Sequence, residues 1–111
     1  MTQANQDRIA KLKAFLQEDP DDSFSRFALA LEYQKTGDHQ TARSLFEHIR
    51  DKDPGYIGVY YHLGKLYQMT DEPRLALKTY TNGITIARNA GDHHAATELE
   101  QALQELEYDA P

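Results

Sequence analysis

Apolar residues recur along this chain with the spacing of amphipathic helices, and short polar breaks divide them into six segments. The first segment predicts a helix from about Gln6 to Glu18, which ends at Asp19-Pro20. The last segment follows Gly91-Asp92 and has an outer face rich in Glu and Gln. Ile84-Thr85-Ile86 is β-prone by itself, but it lies within a helical period. The pattern therefore predicts six helices and no strand.

The chain repeats itself with a period of 34 residues, which indicates an array of similar units. Aromatic residues coincide with aromatic residues in this frame, as Phe27 does with Tyr61 and Phe46 with Tyr80. Identical residues coincide at five further pairs: Leu29 and Leu63, Tyr33 and Tyr67, Gln34 and Gln68, Thr36 and Thr70, and Ala42 and Ala76. Each repeat contains two helical segments, so the sequence predicts two helix pairs with one extra helix at each end.

The breaks within the repeats have the chemistry of tight helix–helix turns. Gly37 can adopt the left-handed conformation that ends a helix, and Asp38 can cap the next helix through its carboxylate. In the second repeat, Asp71 stands where the first has glycine, and Pro73 falls where a first helical turn tolerates proline. Each repeat is thus predicted to be two helices joined by a short turn.

Small, aromatic and proline residues fall at fixed positions of this 34-residue frame. Residues 23–56 carry Leu29-Ala30, Tyr33, Gly37, Ala42, Phe46 and Pro54, and residues 57–90 carry Tyr60, Leu63-Gly64, Tyr67, Ala76 and Tyr80. This pattern resembles the tetratricopeptide repeat. The sequence departs from it at five positions: Arg26, Ile49, Asp71, Gly83 and Arg88. These departures are expected to alter local packing and helix length, and the second helix of repeat 57–90 is expected to run on to Asn89 or Ala90.

The resemblance implies an all-α fold, a short right-handed α-solenoid built from antiparallel helix pairs. It implies a single domain over residues 1–111, with an N-terminal half-repeat helix at 6–19 and a C-terminal capping helix at 92–108. Repeats 23–56 and 57–90 lie between these two helices. Stacking buries the apolar faces that one helix pair alone cannot bury.

The resemblance also implies a concave groove lined by the first helix of each repeat, with four positions of each helix facing it. These positions hold Phe24, Phe27, Leu31 and Gln34, then Gly58, Tyr61, Lys65 and Gln68. Members of the family that grip chaperone tails through a carboxylate clamp have Lys and Asn at such positions. Phe27 and Leu31 replace them here, so a peptide with an apolar anchor is the better match.

Phe24, Phe27 and Leu31 also form a second apolar stripe, more than one packing face needs. The stripe is expected either to bind a partner or to pack against the N-terminal helix. Two functions follow from these alternatives. The first is a protein-interaction module that binds a protein or peptide in the groove. The second is a structural unit that forms a homodimer through the stripe or the C-terminal helix.

Composition narrows the classes of function. The net charge is −6 with basic residues dispersed, so nucleic acid is not an expected partner. No apolar run is long enough to cross a bilayer, and there is no cysteine, so we expect a cytoplasmic protein without membrane contact. The five histidines have no metal-site spacing, and no serine has a recognisable base beside it. We therefore expect no metal, no cofactor and no enzymatic activity.

Overall fold

The computed structural model describes residues 2–109, which form six α-helices and no strand. The helices are α1 (Gln3–Glu18), α2 (Ser23–Lys35), α3 (His39–Lys52), α4 (Gly58–Met69), α5 (Pro73–Asn89) and α6 (His93–Asp109). The all-α class and the six helices are confirmed, and Ile84–Ile86 is helical. Met1, Ala110 and Pro111, at the ends of the predicted 1–111 domain, lie outside the described residues.

Four helices begin at a side chain that accepts a hydrogen bond from a free backbone N–H of the first turn. The capping residues are Thr2, Asp22, Asp38 and Asp92. Because Thr2 caps α1, that helix begins at Gln3, three residues before the predicted start. Pro73 opens α5, as predicted, in the turn where its missing N–H leaves no bond unmade.

Three helices end in a left-handed residue: Gly37 after α2 at φ +83°, Asp71 after α4 at φ +60°, and Gly91 after α5 at φ +74°. The next amide in each case donates to the carbonyl five residues earlier, at 2.8 to 3.0 Å. This is the Schellman ending of an α-helix, which glycine favours. Asp71 adopts the same conformation with a side chain and therefore with some strain.

The chain forms two compact units, the N-terminal unit ending at Asp53 and the C-terminal unit beginning at Pro54. In the N-terminal unit, α2 packs against both α1 and α3. Its buried apolar residues are Ile9, Leu29, Ala30, Ala42, Phe46 and Ile49. The organisation of residues 1–111 as a single domain stays a prediction.

A buried carboxylate joins α1 to α2. Glu32 is only 4% exposed, and its two oxygens accept hydrogen bonds from Asn5 Nδ2 at 2.9 Å and Arg8 Nη1 at 2.7 Å. Lys35 Nζ lies 3.5 Å from the same carboxylate. The hydrogen bond from Arg8 is the main cause that lowers the pKa of Glu32, against the opposing effect of burial. The interface between α1 and α2 is therefore partly ionic.

In the C-terminal unit, α5 packs between α4 and α6, and α4 also contacts α6. Two glycines allow this close packing. A Cβ on Gly64 would lie 2.2 Å from Cε1 of the Tyr80 ring, and a Cβ on Gly83 would lie 2.5 Å from Cβ of Tyr60. Both tyrosines are almost fully buried. Any larger residue at these positions would have to displace an aromatic ring in the core.

Candidate partner-binding surfaces

The predicted groove residues of the N-terminal unit form one surface, the α2 face, defined by Phe24, Phe27, Leu31 and Gln34. The Phe24 side chain is 70% exposed. Phe27 is half-buried, and its ring packs on Phe46 of α3 with centroids 5.8 Å apart. Leu31 and Gln34 are half-buried as well.

Two contacts between α1 and α2 fall outside the α2 face. Glu32 accepts hydrogen bonds from α1, and the Tyr33 ring lies 5.8 Å from Lys13 Nζ. At 100° per residue, Tyr33 lies about 180° around the helix from Phe24, whereas Glu32 lies only about 80° from Phe24 and about 100° from Leu31. The structure thus leaves Phe24 exposed and packs Phe27 on α3, and the role of the stripe stays a prediction.

The predicted groove residues of the C-terminal unit already have partners within that unit. Lys65 Nζ lies 3.5 Å from a Glu105 oxygen of α6 and 5.5 Å from the centroid of the Tyr61 ring. The Tyr80 hydroxyl donates a hydrogen bond to Gln68 Oε1. Burial raises the pKa of Tyr80, so the hydroxyl keeps its proton and stays a donor.

A small cleft of about 170 Å³ lies between the first turns of α4 and α6. We call it the α4–α6 cleft. Its α4 side is formed by Ile57, Gly58, Tyr61 and His62, and its α6 side by Asp92, Ala95, Glu98 and Leu99. The two predicted groove residues Gly58 and Tyr61 thus meet α6 residues here.

His62 is half-buried in this cleft. Burial lowers the pKa of its imidazole, and the nearby charge of Glu98 opposes that effect only in part. The imidazole is therefore neutral at pH 7. Its ring also meets the Tyr61 ring edge to face, with centroids 5.6 Å apart.

The α6 wall of the cleft was missed from the sequence, although a signal for it exists. A further step of 34 residues along the repeat frame places Asp92 at the position of Phe24 and Gly58. The same step places Ala95 at the position of Phe27 and Tyr61. The capping helix thus continues the groove positions that were traced only through the two full repeats.

A second cleft, of about 330 Å³, lies between α1 and α2 in the N-terminal unit. It is lined by Gln6, Ile9, Ala10, Lys13 and Tyr33. Among the side chains of residues 2–108, no three of His, Asp or Glu gather in a way that could hold a metal ion. No helix in that part of the chain is long and apolar enough to cross a membrane.

Several solved structures resemble this chain. A tetratricopeptide repeat domain protein from Salinibacter ruber is 42% identical, with 83% of this chain and 93% of that chain covered and a TM-score of 0.79. A protein from Bordetella parapertussis is 26% identical over 91% and 88% of the two chains, with a TM-score of 0.78. The TPR2B domain of yeast Sti1, solved in complex with pHsp70, is 17% identical over 92% and 82%, with a TM-score of 0.84.

No protein-family model matches the sequence, and no curated protein matches it. The likeness to the Salinibacter protein nevertheless extends over nearly all of that chain at 42% identity. The 34-residue repeat and the two helix pairs of the structure agree with it. The chain belongs to the tetratricopeptide repeat family.

Proposed function

We infer that this chain is a protein-interaction module whose α2 face binds an apolar side chain from a peptide segment of a partner protein. The observation that carries the proposal is Phe24, whose side chain is 70% exposed. Large aromatic side chains contribute most when they are covered at an interface. Phe24 therefore offers binding energy that the folded chain alone does not use.

The neighbours of Phe24 suit a peptide ligand. The Phe27 ring is held by Phe46, so it presents a fixed surface that loses little freedom on binding. Leu31 extends the apolar area along the helix. Among the described residues, the side-chain amide of Gln34 has no hydrogen-bond partner, so it is available to a peptide backbone.

The structural neighbours support the class of function but not this partner. The TPR2B domain of yeast Sti1 was solved as a complex with pHsp70, so the fold can hold a protein-derived ligand. The identity to that domain is only 17%. Phe27 and Leu31 stand where a carboxylate clamp would need polar groups, so we propose an apolar anchor instead. The proposal includes no catalytic step, and the lack of cysteine fits the proposed cytoplasmic setting.

A pull-down from native extract with matched variants tests the proposal. Phe24→Glu places a charge on the α2 face, and Phe15→Glu makes the same change on α1, where Phe15 is 48% exposed. We expect wild type and Phe15→Glu to retain the same specific protein, and Phe24→Glu to lose it. Circular dichroism checks that both variants stay helical.

Two outcomes would contradict the proposal. If Phe24→Glu retains the partner as well as wild type does, the α2 face is not the binding surface. If light scattering shows a wild-type dimer that Phe24→Glu converts to a monomer, the stripe serves homodimer formation, which is the alternative function.

A further inference from the structure

The α4–α6 cleft is sized for one side chain. Its volume of about 170 Å³ lies well below the roughly 300 Å³ at which pockets for drug-sized ligands begin. Its floor includes Leu99, which is buried, and one wall carries the aromatic ring of Tyr61. The cleft therefore has apolar surface for an aliphatic stem and open space above it.

The charge around the cleft is negative. Two of the residues that line it, Asp92 and Glu98, are acidic, and none of its lining residues is Lys or Arg. Asp92 lines the cleft while its carboxylate caps α6 through the Ala95 amide at 3.0 Å. Glu98 lines the cleft from the next turn.

The basic residues near α6 are paired with carboxylates other than Glu98. Lys65 pairs with Glu105 at 3.5 Å, and Arg88 pairs with Glu100 at 2.6 Å. His94 Nε2 lies 3.9 Å from a Glu98 oxygen, on a side chain that is 92% exposed. The cleft thus keeps a carboxylate that no Lys or Arg of the described chain neutralises.

We propose that the α4–α6 cleft binds a Lys or Arg side chain of a partner peptide. The aliphatic stem lies on Tyr61 and Leu99, and the charged head meets Glu98 and Asp92. A neutral His62 adds no competing charge at pH 7. This inference rests on the proposed function, because it takes the chain to be a module that binds peptide segments of partner proteins.

Selection from a random peptide library displayed on phage tests the inference. Wild type is used for selection, and binding of one selected synthetic peptide is then measured by fluorescence anisotropy. We expect a group of the selected peptides to share a Lys or Arg. Replacing that basic residue by Gln in the peptide should weaken binding about fivefold, as for a partly exposed ion pair.

Two protein variants distinguish binding in the cleft from general electrostatic attraction of a basic peptide to an acidic protein. Glu98→Gln should also weaken the parent peptide about fivefold, and it should abolish the difference between the basic peptide and its Gln version. Glu107→Gln removes the same charge from an exposed part of α6 and should leave that difference unchanged. If Glu107→Gln has the same effect as Glu98→Gln, the cleft is not the site.

The two proposals fail in different ways. Selected peptides that need Phe24 but have no common basic residue would overturn the cleft and leave the proposed function standing. Selected peptides that depend on Glu98 but bind Phe24→Glu as well as wild type would overturn the α2 face and leave the cleft standing. A library that yields no binding peptide would overturn both proposals.

Discussion

Phe46 and Tyr80 occupy equivalent positions of the two repeats, and the hydroxyl that distinguishes them changes what the preceding helix can offer a partner. The Tyr80 hydroxyl donates to Gln68, so that amide serves the core of the C-terminal unit. Phe46 has no such group, and Gln34, the counterpart of Gln68, keeps its amide available. The same repeat position is internal in one unit and open in the other.

The helix residue that faces the aromatic ring also differs between the two repeats. Gly64 faces the Tyr80 ring. The equivalent residue of the first repeat is Ala30, which has a methyl side chain. The missing methyl group lets that ring approach α4. A repeat can therefore change the use of a surface residue by altering two core positions behind it.

Two departures from the family pattern compensate each other in volume. In the C-terminal unit, the large Tyr60 is opposite Gly83, where even a Cβ would collide. The equivalent pair in the N-terminal unit is Arg26 and Ile49, with a half-exposed Arg26 and a buried Ile49. Each repeat thus fills this space from a different helix, which keeps the core dense.

The largest loss of stability is expected from Gly64→Ala, which gives the second repeat the residue that the first repeat has at Ala30. The added Cβ meets the buried Tyr80 ring, so we expect the free energy of unfolding to fall by about 3 kcal/mol. Gly55→Ala is the matched control, because a Cβ there has no heavy atom within 4 Å. Urea unfolding followed by circular dichroism measures both. Equal stability of the two variants would show that the close approach is not needed.

The next effect concerns Glu32, whose counterpart in the other repeat is the buried Leu66. Arg8→Ala removes the hydrogen bond at 2.7 Å and leaves a buried carboxylate less well paired. We expect a loss of about 2 kcal/mol at pH 7, against almost none for the exposed Lys11→Ala. Urea unfolding of both variants checks this.

The same ion pair predicts a dependence on pH. The folded chain lowers the pKa of Glu32 below its ordinary 4.5, so the unfolded chain takes up the proton more readily. The stabilisation is therefore complete above about pH 4.5 and is lost as the pH falls through the folded pKa. Arg8→Ala should lose less stability than wild type over that acid range. A parallel decline of the two proteins would contradict the assignment to Glu32.

A smaller effect is expected from Tyr80→Phe, which gives the C-terminal unit the aromatic residue of the N-terminal unit. The hydrogen bond to Gln68 is lost, and unfolding should become easier by about 1 kcal/mol. Tyr33→Phe serves as the control, since no hydrogen bond of its hydroxyl is found among the described residues. The midpoint of thermal unfolding should be lower for Tyr80→Phe than for Tyr33→Phe. Identical midpoints would show that the hydrogen bond to Gln68 does not stabilise the fold.

The smallest change in stability is expected at the turns within the two repeats. Asp71 has the left-handed conformation that Gly37 adopts in the other repeat. Asp71→Gly should therefore stabilise the chain by about 0.5 kcal/mol, and Gly37→Asp should destabilise it by a similar amount. Urea unfolding of the pair is the measurement, and a loss of stability in Asp71→Gly would contradict the strain.

Local patterns predicted much of this fold. Apolar spacing gave the helices, and Gly37 with Asp38 gave the turn, because caps and left-handed endings depend on a few neighbouring residues. Burial of Glu32 against Arg8 was not predicted, because it depends on the docking of α1. The α4–α6 cleft was missed because its two walls are at least 30 residues apart in the chain and meet only when α6 packs against α4. The exposure of Phe24 could not be predicted either, because it depends on which side of α2 packs against α1.

Photo-crosslinking tests the central claim, that the α2 face is the open binding surface, most directly. A benzophenone amino acid at position 24 is compared with one at position 69, where Met69 ends α4 and is 59% exposed. We expect irradiation in native extract to link a partner protein to position 24 and not to position 69. Equal crosslinking from both positions, or none from position 24, would contradict it.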